Sequence, residues 1–146
     1  MRFLGKYVIF ACFLITVFCL IACEKKKEGK VIVTDEEFTL RQDGERSWLL
    51  DATGKVRNVG EVDVKKVVIT GYCRSCGEVI TLGSWIVSDV EKLPYQKDTI
   101  SYLTAGDEET FNFKEVAFVY GQPGIEKPGM PDNLEIVIES FESVNN

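Results

Sequence analysis

Polar and apolar residues alternate along much of this chain with the period of two that places successive side chains on opposite faces of a strand. The alternation is cleanest between Trp48 and Arg57: Trp48, Leu50, Ala52, Gly54 and Val56 share one face, and Leu49, Asp51, Thr53, Lys55 and Arg57 share the other. Val31–Val33 and Phe38–Leu40 are short extended candidates before it, Asp43-Gly44 makes a turn, and Asn58-Val59-Gly60 ends the strand. Val67–Tyr72 is rich in β-branched and aromatic residues, as is the run from Val79–Leu82 through Trp85–Val87. The intervening Cys73–Gly77 has the length of a hairpin connection. Ser88–Asp98 is polar and contains Pro94, which predicts a loop or an irregular edge. Thr99–Leu103, Phe111–Lys114, Val116–Tyr120 and Leu134–Glu139 complete the strand candidates, with a turn at Ala105–Asp107. Gly121–Asn133 holds three of the four prolines and has no periodicity. No segment shows helical spacing between capping residues. Roughly seven strands with turns every 8 to 12 residues predict an all-β chain folded as an antiparallel β-sandwich.

The first thirty residues follow a different pattern. Met1–Lys6 is a short basic start, Tyr7–Ala22 is an uncharged, largely apolar run, and Cys23 follows directly. A basic n-region, an apolar h-region and small residues before a cut describe a secretory signal peptide. The sixteen residues of the run fall below the roughly 17 to 25 that a transmembrane helix needs. Leu20-Ile21-Ala22-Cys23 resembles a bacterial lipobox. That resemblance implies cleavage after residue 22, acylation of Cys23 and attachment to a membrane of the bacterial envelope, with the domain in the periplasm or extracellular space. Multiple acyl chains on one cysteine anchor stably, because each buried methylene adds about 0.8 kcal/mol. Residues 1–22 are thus expected to be the signal peptide, 23–30 a charged tether and 31–146 one domain. The tether, Glu24-Lys25-Lys26-Lys27-Glu28-Gly29-Lys30, has no apolar residue to bury and reaches about 25 Å at most.

The whole chain carries 17 basic and 23 acidic residues, a net of −6. Losing Arg2 and Lys6 with the signal segment leaves 15 against 23, a net of −8. An acidic surface argues against nucleic acid as a partner. Removing 22 of 146 residues leaves a chain long enough for one real core without metal or disulfide support.

Several of the strand and turn markers occur in a familiar order. Gly54-Lys55-Val56-Arg57-Asn58-Val59-Gly60 leads into Val67-Val68-Ile69, then Tyr72, then a turn ending Gly77-Glu78-Val79; Leu103-Thr104-Ala105-Gly106-Asp107 and Phe111 follow. Over about residues 46 to 142 this resembles the FxLYD domain, a small immunoglobulin-like β-sandwich of extracytoplasmic bacterial and archaeal proteins, lipoproteins included. The chain departs from the family pattern at Cys73, where an aspartate is expected, in a longer Val87–Leu103 stretch, and in a long 121–133 loop. The family carries no assigned chemistry, so the resemblance implies a fold and no activity.

Reactive residues are few. Cys73-x-x-Cys76 is the only candidate for redox or metal chemistry. In an oxidising compartment it is expected to be a disulfide that pins the two ends of a hairpin turn. Thiol–disulfide exchange is the sharper alternative, but a reactive pair usually needs a helix N-terminus, and Gly77–Thr81 reads as strand. Zinc is a third reading; a structural site needs four ligands, and the chain has no histidine and no second cysteine pair outside the signal segment. The lack of histidine also removes the commonest general base. The acidic residues show no spacing that selects a catalytic pair, and no phosphate-binding glycine motif precedes a helix. No catalytic residue, metal ligand or cofactor is therefore assigned. The 121–133 loop is either a binding surface with Ile125 and Met130 as apolar contacts or a loop packed on itself. The expected role is a membrane-anchored, non-enzymatic module that meets an envelope protein, with a redox protein acting through Cys73 and Cys76, or a small-molecule or metal binder, as alternatives.

Overall fold

The computed structural model describes residues 27–87 and 91–144. Residues 1–26, which include the expected signal peptide, Cys23 and the start of the expected tether, lie outside the described residues. Seven strands form: β1 (Val31–Asp43), β2 (Ser47–Asn58), β3 (Val64–Cys73), β4 (Trp85–Ile86), β5 (Lys97–Leu103), β6 (Glu108–Tyr120) and β7 (Leu134–Ser143). They pack as two antiparallel sheets, one in the order β1-β2-β6-β4 and the other β5-β3-β7. The all-β sandwich expected from the alternation is thus what the chain adopts.

Inward residues of β2, β3 and β6 build the core. Leu50, Val56, Val64, Val67, Ile69, Phe111 and Val116 are essentially inaccessible to solvent, and the Phe111 and Phe113 rings stack with centroids 5.7 Å apart. Gly71 is needed where β3 passes under β6: a Cβ there would lie 2.8 Å from Val116 and 2.9 Å from Phe113. Leu134, Ile136 and Ile138 face the same core from β7 but remain half-buried, because β7 is a sheet edge.

Two pairs of short strands read from the sequence are single long ones. Val31–Val33 and Phe38–Leu40 both belong to β1, joined through a register break at Thr34–Glu37 where Asp35 takes φ 52°. Phe111–Lys114 and Val116–Tyr120 both belong to β6, which bulges opposite Asp51 with Glu115 at φ 59°. The bulge lets Val116 and Ala117, neighbours in sequence, both be buried. Its freed groups are satisfied: the Asp51 carboxylate accepts from Glu115 N–H at 3.1 Å and from Arg41 Nε at 2.7 Å. On the opposite flank the 3₁₀ turn Pro94–Gln96 closes the sandwich. Buried Gln96 donates to Glu115 O at 2.9 Å, and its backbone carbonyl accepts from buried Thr70 Oγ1 at 2.7 Å.

The sandwich has two poles. The N-terminal pole gathers residues 27–30, the β2–β3 and β5–β6 connections, and the end of β7. Asn58 is its hub, fully buried: Nδ2 donates to Val62 O at 2.9 Å and Leu103 O at 3.1 Å, and Oδ1 accepts from Gly60 N–H at 3.0 Å. Val59 N–H to Lys30 O (2.7 Å), Glu61 N–H to Glu28 O (3.1 Å) and Gly29 N–H to Ser143 Oγ (3.1 Å) hold the described part of the tether against this pole. The β1–β2 turn, the long 73–97 connection and the 121–133 loop gather at the distal pole.

Candidate functional site at the distal pole

β3 ends at Cys73, which is joined to Cys76 with a Cα–Cα distance of 5.4 Å, inside the range a disulfide accepts. The bridge does not pin a hairpin. β3 pairs with β5 and β7, while the chain beyond Gly77 crosses to the other sheet, where Trp85 and Ile86 pair with Val119 and Phe118 of β6. A parallel bridge between Gly77 and Ile86 closes the base of the crossing, with Gly77 N–H on Trp85 O at 3.0 Å and Val87 N–H on Gly77 O at 2.9 Å. The strand expected over Val79–Leu82 is replaced by an irregular loop. Both positions beside β3 are already taken, so this β-prone run finds no ladder to join.

An open cleft of about 590 Å³ lies beside the disulfide, lined by Tyr72, both cysteines, Val87 and charged side chains. The Arg74 guanidinium sits 4.4 Å from the Tyr72 ring centroid and Lys92 Nζ 5.0 Å from it. Arg74 is ion-paired with Glu135, and Lys97 with Glu139 at 3.0 Å. Partial burial holds the Lys92 ammonium below the ordinary lysine pKa; Glu139 opposes that shift, while Lys97 and Arg74 add to it. Both cysteines line the cleft, Cys73 as a buried residue and Cys76 as a half-buried one. The three cations of the cleft, Arg74, Lys92 and Lys97, share its lining with three carboxylates, Glu78, Glu91 and Glu139. As a disulfide, the pair offers no thiolate to a metal, and among the described residues no three His, Cys, Asp or Glu side chains converge as a metal site.

The 121–133 loop is ordered by two indoles. Trp48 and Trp85 both lie opposite Val119, on β2 and β4 respectively. Trp48 Nε1 donates to Ile125 O at 3.3 Å and Trp85 Nε1 to Gly129 O at 2.9 Å. Gly121 and Gly124 N–H groups each donate at 2.8 Å to the β1–β2 turn, at Arg46 O and Glu45 O. Of the two apolar residues read as contacts of this loop, Ile125 folds back over Gly121 and is half-buried, whereas Met130 is 47% exposed beside Trp85. The loop is therefore packed on the sandwich at its first half and open at its second.

Sequence reading missed the tip of the crossing loop. Val79, Ile80 and Leu82 are 76%, 73% and 59% exposed. Of the three, Val79 borders a second groove of about 520 Å³ between the two loops, together with Trp85, Met130 and Pro131. Only the exposure of these aliphatics marks the site; their sequence alone describes an ordinary strand. Comparison of the chain with protein-family models, curated proteins and solved structures returns no match, so its functional reading rests on its own residues and geometry.

Proposed function

We propose that this chain is a lipid-anchored, non-enzymatic lipoprotein of the bacterial envelope, whose immunoglobulin-like sandwich of FxLYD type serves as a protein-interaction module. The observation that carries this reading is Leu20-Ile21-Ala22-Cys23 at the end of a charge-free run, followed by a charged tether. Consistent with it, Lys27–Lys30 emerges at one pole, so an anchor at Cys23 would leave the opposite pole free. Incorporation of a palmitate analogue into the full chain in bacterial cells tests the anchor. Wild type is expected to label and enter the detergent phase, and Cys23→Ala to do neither. Equal labelling of the two would end the reading.

The disulfide bordering an open cleft favours a second reading as an extracytoplasmic thiol–disulfide exchanger. A dithiol's thiolate would attack Cys76 Sγ and expel Cys73 as a thiolate, which takes up a proton. The dithiol's second sulfur would then resolve the mixed disulfide, leaving the substrate oxidised and the protein reduced. Loss of turnover in Cys73→Ser/Cys76→Ser supports this reading; unchanged turnover ends it.

A further inference from the structure

We propose that Glu28–Lys30 is a clamp that holds the anchored sandwich upright on its membrane, with the N-terminal pole turned toward the lipid headgroups and the distal pole turned away. The inference rests on the anchored reading and adds to it the face that meets the bilayer. Sequence alone makes residues 24–30 a free spacer, yet the last three are built into the domain. Glu28 O accepts from Glu61 N–H at 3.1 Å, Lys30 O from Val59 N–H at 2.7 Å, and Gly29 N–H donates to Ser143 Oγ at 3.1 Å. Two glycines shape the slot. A Cβ on Gly29 would overlap Val64 Cγ1 and lie 2.9 Å from Ser143 Oγ; one on Gly60 would overlap Lys30 N and lie 2.6 Å from Glu28 O. Neither glycine has a positive φ, so close approach of two backbones, not turn geometry, calls for glycine at both.

The clamp shortens the leash and fixes where its charge sits. From Cys23 to Glu28, the first docked residue, the chain spans about 18 Å at most. The twelve residues of β2 put roughly 35 Å between the poles, so the leash is too short to let the sandwich invert. Charge then resists tilting. Residues 24–30 carry four lysines against two glutamates, whereas residues 31–146 carry 11 basic against 21 acidic residues, a net of −10. At the N-terminal pole Lys65 and Lys66 pair with Glu142, and the spacer's surplus of two offsets what Glu61, Asp63 and Asp107 leave there. An anionic bilayer therefore attracts the spacer, tolerates the near-neutral pole and repels the acidic remainder of the domain. Docking at Gly29 and Gly60 makes the basic spacer part of that pole, where an undocked spacer would let the body swing.

Energy transfer from the full chain, purified from palmitate-labelled cells, to a headgroup-labelled lipid tests this in vesicles of phosphatidylcholine and phosphatidylglycerol. One dye is carried at Thr104→Cys on the N-terminal pole or at Thr81→Cys on the distal pole, both exposed. Transfer from position 104 should exceed that from position 81 severalfold. Gly60→Ala, whose Cβ has the clamp's backbone as its three nearest neighbours, should bring the ratio toward parity and open the Val59 and Glu61 amides to exchange. Gly129→Ala, where a Cβ meets nothing within 4 Å, should change neither. A Gly/Ser insert between Lys27 and Glu28 leaves the domain untouched and should also lower the ratio, which keeps the test in force if Gly60→Ala does not fold. Equal transfer from the two positions in the parent chain, a ratio that survives Gly60→Ala or the insert, or amides that stay protected in Gly60→Ala overturns the proposal. A palmitate-labelled, vesicle-bound chain without the expected ratio overturns this inference alone; an unlabelled chain that stays off the vesicles overturns the anchored reading and this inference with it.

Discussion

The two poles of the sandwich solve opposite problems. At the N-terminal pole the polar groups are turned inward and matched: Asn58, fully buried, has both ends of its amide engaged, and its backbone N–H and C=O bond Asp107 O and Gly106 N–H at 3.0 and 2.8 Å. Asp63 adds a second node, with its carboxylate accepting from Tyr102 OH and from Ala105 N–H. At the distal pole apolar groups are turned outward, on loops held by a disulfide, two indole N–H bonds, one short bridge and a few backbone hydrogen bonds. The first arrangement stabilises the domain and holds residues 28–30 against it. The second leaves apolar side chains whose exposure contributes nothing to folding. Stability and availability are thus divided between the ends of one short sandwich.

Substitutions sharpen the contrast, and the largest effect belongs to the N-terminal pole. Asn58→Ala leaves two carbonyls and one N–H without their partner in a buried site and is expected to cost about 2–4 kcal/mol. A lower denaturant midpoint with an unchanged slope would show it; a loss under about 1 kcal/mol would remove Asn58 as the hub. Breaking the distal disulfide with Cys73→Ser/Cys76→Ser should cost at most about 2 kcal/mol, because a four-residue ring removes little entropy from the unfolded chain. Trp85→Phe, which deletes the indole N–H donated to Gly129 O, is expected to cost about 1 kcal/mol and to speed amide exchange in residues 126–133. If exchange there is unaffected, the indoles do not order the loop. Smallest of all, Val79→Ser, Ile80→Ser and Leu82→Ser should each fall within about 0.5 kcal/mol of wild type, since their exposed side chains support nothing.

Acid provides a further way to separate the poles. The hydroxyl of Tyr102, and then the N–H of Ala105, hold the Asp63 carboxylate below its ordinary pKa. Because the folded value lies below the unfolded one, the contribution of Asp63 is complete above about pH 4 and fades as pH falls through the folded value. Asp63→Asn should remove that contribution at neutral pH and flatten the stability profile in the acid window. A profile of unchanged slope below pH 4 would contradict the assignment.

Much of this fold was legible because a half-buried strand writes its orientation into its sequence every second residue. The face Trp48, Leu50, Ala52, Gly54 and Val56 turns inward as its alternation predicts, and Asp43-Gly44 turns the chain, with Gly44 at φ 71°. What local pattern could not supply was pairing. Val79-Ile80-Thr81-Leu82 has the composition of a strand, yet β5 and β7 occupy both sides of β3, and only the short Trp85–Ile86 segment reaches an edge of the other sheet. The same limit hid the bulge at Glu115, whose stabilising contacts come from Asp51 and Arg41 on other strands. It also hid the order of the 121–133 loop, which depends on two tryptophans distant in sequence.

By itself the sequence determined the class of fold, the inward face of its central strands, the closeness in sequence of the cysteines that bond, and the expectation of an anchor at Cys23. Each of these is a local property: side-chain period, turn chemistry, or spacing of a few residues. Tertiary structure alone decided which strand edges were free, that the Cys73–Cys76 bridge closes a crossing between sheets, and that three aliphatic side chains stand exposed at the pole away from the tether. Those outcomes depend on competition for hydrogen-bonding partners among segments far apart in the chain, and such competition is settled only when the two sheets assemble.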